Sequence, residues 1–104
     1  MRYEIGLSDD ALADLARLSA YHDRLIRDAL GRFLRFEPTR ESRARIKRLR
    51  GEGSPQFRLR VGEFRIFYDV YTDLVQVHAI MTKRDSASWL ARFRRMNGED
   101  GAAF

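Results

Sequence analysis

At 104 residues with 44% hydrophobic side chains, the sequence is long enough for one compact domain, too short for two, and too apolar to stay disordered. The absence of cysteine excludes a disulfide scaffold, a thiolate metal site and a cysteine nucleophile. The net charge of +5 is concentrated: residues 1–39 carry a net of −1, residues 40–65 a net of +6 and residues 66–104 none, which points to a polyanionic partner such as nucleic acid, an acidic protein or an anionic membrane surface.

The chain opens with "MRYEIGL", a weak alternation that predicts a short first strand, and its early acidic residues are unlike a secretory signal. No apolar run approaches the roughly 20 residues that span a bilayer, so a cytoplasmic protein is expected. Ser8 is placed as an N-cap, with Asp9 and Asp10 at the positive end of the helix dipole. Leu12, Leu15, Ala16 and Leu18 then mark an amphipathic helix of about 11 residues. Leu25, Ile26, Ala29, Leu30, Phe33 and Phe36 predict a second helix over Asp23 to Phe36, which Glu37-Pro38 ends.

From Thr39 to Gly51, "TRESRARIKRLRG" fits a short basic helix or an extended arm, anchored by Ile46 and Leu49. "GEGSP" is a loop by composition. Three strands follow, Gln56–Val61, Phe64–Tyr71 and Leu74–Met81, separated by Gly62-Glu63 and Thr72-Asp73, a spacing that predicts two antiparallel hairpins. "SASWLARFRRM" predicts a closing helix with Ser86 as cap and Trp89 and Leu90 as docking residues. The domain is placed at residues 1–96, with a flexible tail at 97–104.

With two-residue turns the register follows by counting. Val61 faces Phe64, Arg60 faces Arg65, Leu59 faces Ile66, Arg58 faces Phe67, and in the second hairpin Ile66 faces Ala79. One face then collects Phe57, Leu59, Val61, Phe64, Ile66, Tyr68, Val70, Val75, Val77, Ala79 and Met81, and the helices must cover it. The other, expected to be bare, collects Arg58, Arg60, Arg65, Phe67, Asp69, Gln76, His78 and Ile80. Like charges opposite one another, as Arg60 and Arg65 are, cost several tenths of a kcal/mol. Sequences retain such conflicts mainly at functional sites.

Arginine matches phosphate with a permanently charged planar fork. Lys83 and Arg84, just past the third strand, extend the patch, and Phe67 is available to stack on a base. RNA cleavage without metal needs cations for the extra negative charge and groups that move protons. The arginines suit the first task. For the second, His78 is the single group on that face that ordinarily titrates near neutrality. His22 reads as structural. No paired carboxylates, phosphate loop or serine-histidine-aspartate spacing stands out.

"KRLRGEGSPQFRLRVGEFRIFYDV" followed by "VQVHAIMTKRDSASWL" resembles the RelE/ParE superfamily of toxin–antitoxin toxins, nearer its RelE branch, over roughly Tyr3 to Leu90. The resemblance implies an α+β domain in β-α-α-β-β-β-α order, an antiparallel sheet with helices on one face. It also implies a cytoplasmic plasmid-stabilisation-type toxin that cleaves messenger RNA in the ribosomal A site without metal or cofactor. Residue by residue, it gives Arg65 the place of the arginine that contacts the scissile phosphate, Arg84 that of the arginine following the last strand, and Arg58 and Arg60 that of two basic strand residues, these four being the catalytic candidates. Lys47, Arg48, Arg50, Lys83, Phe67 and His78 are the accompanying RNA-binding candidates. Leu90 stands where RelE members carry a tyrosine. The implied partners are an acidic antitoxin, the ribosome with its message, and operator DNA through the antitoxin complex. The alternatives are a ParE-like toxin acting on DNA gyrase, and a toxin-fold binding module without activity.

Overall fold

In a computed structural model, which describes residues 1–98, the chain forms five strands and three helices: β1 (Glu4–Leu7), α1 (Asp9–Ala16), α2 (Ala20–Leu34), β2 (Ile46–Arg48), β3 (Phe57–Val61), β4 (Phe64–Val70), β5 (Leu74–Thr82) and α3 (Lys83–Met96). Ser8 caps α1 as expected, its Oγ accepting from the Ala11 N–H at 3.0 Å. α1 is shorter than expected because Ser19 caps a new helix three residues after Ala16, starting α2 at Ala20. The tail expected at 97–104 begins with Asn97 and Gly98, which close α3, and its remainder lies outside the described residues.

The strands form one sheet in the order β1-β5-β4-β3-β2. Two features differ from expectation. The sheet is mixed, because β1 pairs with β5 in parallel. The basic segment is extended, and Ile46–Arg48 adds a strand antiparallel to β3, with Ile46 buried beside Leu59. Side chains stop backbone donors that no neighbouring strand covers, a common protection against edge-to-edge association. On the outer strand β2 the Arg48 N–H donates to Glu41 Oε1 at 3.0 Å; on β5, past the end of β1, the Ile80 N–H donates to Asp14 Oδ2 at 2.8 Å.

The β3–β4 hairpin has the register that counting gives: Val61↔Phe64, Arg60↔Arg65, Leu59↔Ile66 and Arg58↔Phe67. Gly62 supplies the positive φ of 58° at the first turn position, a geometry that suits glycine. Gly62→Ala meets open space but a strained backbone, so it is expected to lower stability by about 1 kcal/mol in urea unfolding.

The β4–β5 hairpin slips by one residue. A bulge at His78 moves the pairing from Tyr68↔Val77 to Phe67↔Ala79. Ile80 therefore lies in the main core beside Ile66, while Ala79 and Met81 share the face of Phe67 and Arg65, the reverse of the expected assignment. The main core joins β1 and the centre of the sheet to Ala11, Leu15, Ile26, Leu30 and Leu34 of α1 and α2. Tyr68 is buried there, its hydroxyl donating to the Pro38 carbonyl at 2.7 Å, and burial raises its phenol well above the ordinary value.

The second face is not bare. α3 packs across β4 and β5, so the helices sit on both sides of the sheet. Every residue from Phe64 to Asp69 is buried, which a strand with one solvated face would not show. α3 itself has no fully buried residue. It starts at Lys83 rather than Ser86, with the Lys83 N–H donating to the Glu63 carbonyl at 2.8 Å beside the first hairpin turn.

Candidate anion-binding groove

Because α3 lies over β4 and β5, the strands β3 and β2 remain open beside it. Alternation sets Lys47 of β2 opposite Arg58 of β3 on that face, with Arg60 one step along and opposite Arg65. Lys83 and Arg84 occupy the exposed first turn of α3, held next to the hairpin turn. The fold thus sets six cations from four elements on the part of this face that α3 leaves open and at the start of α3, a candidate groove. Basic residues at a helix N-terminus oppose the dipole, and a bound anion relieves that opposition.

The six differ in exposure. Lys47, Arg60, Lys83 and Arg84 are exposed and Arg58 is half-buried. Arg65 is buried, with 6% of its surface accessible. Its Nη1 donates to the Gly62 and Phe64 carbonyls at 2.9 and 3.0 Å, so part of its fork already holds the turn together. Arg58 is the most strained electrostatically. Burial first, then the charges of Arg65 and Arg60, lower its guanidinium from the ordinary value. Its Nε is buried without a hydrogen-bond partner among the described residues.

Three of the other candidates stand elsewhere. Arg48 alternates to the opposite face, its guanidinium 4.5 Å from the centre of the Phe57 ring. Arg50 is exposed in the bend after β2. Phe67 is not available to a base: Trp89 of α3 stacks on it at 4.9 Å, and Phe93 stacks on Trp89 at 4.7 Å. Leu90 is half-buried.

His78 belongs to a separate polar cluster at the far end of that aromatic stack, with Phe93 tilted over its ring at 5.0 Å. Its Nε2 lies 2.8 Å from Asp69 Oδ2 and 3.2 Å from Ser54 Oγ. Ser54 Oγ also donates to Asp69 Oδ2, and the Gln56 N–H donates to Asp69 Oδ1 at 2.7 Å. Burial pushes the Asp69 carboxyl up, but the hydrogen bonds from His78, Ser54 and the Gln56 N–H outweigh it and hold the carboxyl below its ordinary value. Serine and aspartate meet the same ring nitrogen, so this is no nucleophilic relay, which uses the two nitrogens separately. The sequence carried one sign of the cluster, an acid and a histidine assigned to one face of adjacent strands; the contribution of Ser54 had none.

A cleft of about 750 Å³ lies on the other side of α3, toward α1, over Leu18, Ile80 and Phe93. Asp10, Asp14 and Asp85 line it together with Arg17 and Arg92, so its charge is mixed rather than cationic. Among the described residues there is no cluster of three or more metal-ligating side chains, and no helix is long and apolar enough to cross a membrane.

No family model matches the sequence, and no curated protein matches it either. Solved structures do resemble it in shape. A chain of the toxin–antitoxin complex RelBE2 from Mycobacterium tuberculosis superposes with a TM-score of 0.62 at 22% identity, over 80% of this chain and 100% of that one. A chain of the archaeal RelE–RelB complex from Pyrococcus horikoshii OT3 gives 0.60 at 22% identity, over 80% and 97%. A mutant of the E. coli toxin RelE in the free state gives 0.59 at 18% identity, over 91% and 98%. The chain has the fold of the RelE toxins.

Proposed function

We propose that the protein is the toxin of a toxin–antitoxin pair, and that its groove binds messenger RNA in the ribosomal A site and cleaves it in the cytoplasm, without metal or cofactor. The observation that carries this reading is the arrangement around Arg58. Three arginines crowd one patch of sheet, Arg60 and Arg65 directly opposite, and Arg58 keeps a buried Nε without a partner among the described residues. A protein gains nothing in stability from such a cluster; a phosphate backbone satisfies it. The structures of RelE–RelB complexes on the same fold support an antitoxin as the natural partner. Its acidic residues complement the net charge of +6 over residues 40–65. Operator DNA is reached through that complex.

In the proposed reaction the 2′-hydroxyl attacks the adjacent phosphorus as the bond to the 5′-oxygen of the next nucleotide breaks, leaving a 2′,3′-cyclic phosphate and a 5′-hydroxyl. Water takes the 2′-hydroxyl proton and returns one to the leaving oxygen, while the groove orients the phosphate and stabilises the charge that builds on it. Arg60 and Arg84 are exposed and approach the phosphate directly. Arg65, braced by the turn and directly opposite Arg60, adds to the field. A second reading is RNA binding without cleavage. It is favoured by one observation: arginine and lysine provide all the cations of the groove, and no group there ordinarily titrates near neutrality.

The test is cleavage mapping on translated messages in a purified translation system, with the wild type and an Arg60→Ala/Arg84→Ala variant. Both side chains are exposed, so the fold survives. Cuts in the A site that fall by about a hundredfold or more in the variant support the enzyme. An intact message that still binds the protein leaves the second reading. An intact message that the protein does not bind, together with stalled DNA replication in cells expressing it, sinks both and turns attention to gyrase.

A further inference from the structure

The groove has two walls, and one of them is loosely held. β3 is part of the sheet, whereas α3 has no fully buried residue and rests on half-buried aromatic rings. The attachment of its C-terminal half converges on one place. Phe93 lies over His78, and Arg94 Nη2 donates to the Pro55 carbonyl at 3.4 Å. His78 and the loop around Pro55 are in turn tied together by Asp69, whose buried carboxylate takes both His78 and Ser54 on Oδ2 and the Gln56 N–H on Oδ1. The same loop leads directly into β3, which carries Arg58 and Arg60.

We infer that Asp69 and His78 are positioning residues for the anion groove: by fixing the loop before β3 and the far half of α3 against one another, they set how Lys83 and Arg84 stand relative to Arg58 and Arg60. The inference rests on the reading of the groove as an RNA site, and it names a control of that site that lies outside it. The link is a ladder of rings, His78–Phe93–Trp89–Phe67, that runs from the clamp to the residue directly opposite Arg58. A shift at one end reaches the other because packed rings slide as a set, and misplacement by about 1 Å is costly where charges must meet a phosphate.

Trp89 is the chain's one tryptophan, so its fluorescence reports the placement of α3 without reference to any activity. The experiment compares wild type, His78→Ala, His78→Gln and Phe93→Leu by Trp89 emission and by the affinity of a fluorescein-labelled 12-nucleotide single-stranded RNA. Circular dichroism melts confirm that each is folded. His78→Ala is expected to shift emission to the red and weaken RNA binding by about tenfold. His78→Gln, which keeps an N–H for Asp69, restores most of both. Phe93→Leu breaks the ladder on the surface of α3, so it repeats the effect even where His78→Ala does not fold. Unchanged emission in both the His78→Ala and Phe93→Leu variants overturns the inference, and so does altered emission with wild-type affinity. Should wild-type protein fail to bind the RNA, the RNA reading falls, and emission alone decides whether Asp69 and His78 place α3.

Discussion

Arg58→Met is expected to stabilise the protein while disabling it. The methionine keeps most of the side chain's packing against the sheet and removes a charge that is partly buried, repelled by Arg60 and Arg65, and left with an unpaired Nε. Replacing an uncompensated charge by an apolar side chain of similar volume stabilises by several tenths to about 1 kcal/mol here, discounted because the guanidinium keeps some contact with solvent. Guanidinium unfolding at neutral pH measures it. RNA affinity is expected to fall at least tenfold, as for the loss of a charge-assisted contact. A rise in stability with a loss of binding is the signature of a residue kept for a ligand. A variant that is less stable than wild type would instead make Arg58 a structural residue and remove the main support for the groove.

The largest loss of stability is expected from Asp69→Ala. The carboxylate has 3% of its surface exposed and accepts from the Ser54 hydroxyl, the Gln56 N–H and the His78 ring. Its removal leaves three donors in a closed site and costs about 3 kcal/mol. In wild type, the hydrogen bonds hold the folded-state pKa below the unfolded one. The folded chain therefore keeps Asp69 ionised at a pH where the unfolded chain has taken up a proton. The stabilisation is complete above the ordinary carboxylate range and disappears as pH falls through the folded-state value. Urea midpoints measured from pH 7 down to pH 3 should show wild type losing stability through that window and Asp69→Ala losing less. Parallel curves for the two proteins would show that Asp69 has no such linkage.

The two predictions separate the two polar clusters on the second face. Arg58 is expected to weaken the fold and Asp69 to strengthen it. The face-to-face arrangement of Arg60 and Arg65 was legible from the two-residue turn at Gly62-Glu63, because period-two alternation leaves one register once the turn length is known. The Ser8 cap and part of each stripe, Leu15 in α1 and Ile26, Ala29 and Leu30 in α2, were legible for the same reason, capping and periodicity being local, whereas Leu12, Leu25 and Phe36 of the expected stripes are exposed.

What escaped was tertiary in origin. The bulge at His78 is a choice between two registers that differ by one residue, and only the packing of Ile80 into the core settles it. Parallel pairing of β1 with β5 joins residues some seventy positions apart, which no local pattern encodes. The side of the sheet taken by α3 did leave a trace in the sequence. Phe67 on the otherwise polar face of β4, and Trp89 with Phe93 four residues on in α3, are the two halves of one stack. The trace is ambiguous in isolation, because an aromatic among arginines also suits a nucleic acid base.

The sequence by itself determined where the charge lies, which residues alternate together and which turns are tight, since each depends on neighbours within a few positions. The tertiary structure alone decided that α3 covers Phe67, that Arg65 is turned toward its own hairpin, and that Asp69 gathers Ser54, Gln56 and His78. Each of those outcomes depends on which distant surface wins the burial of a ring or a charge, and that competition is settled only when the whole chain has packed.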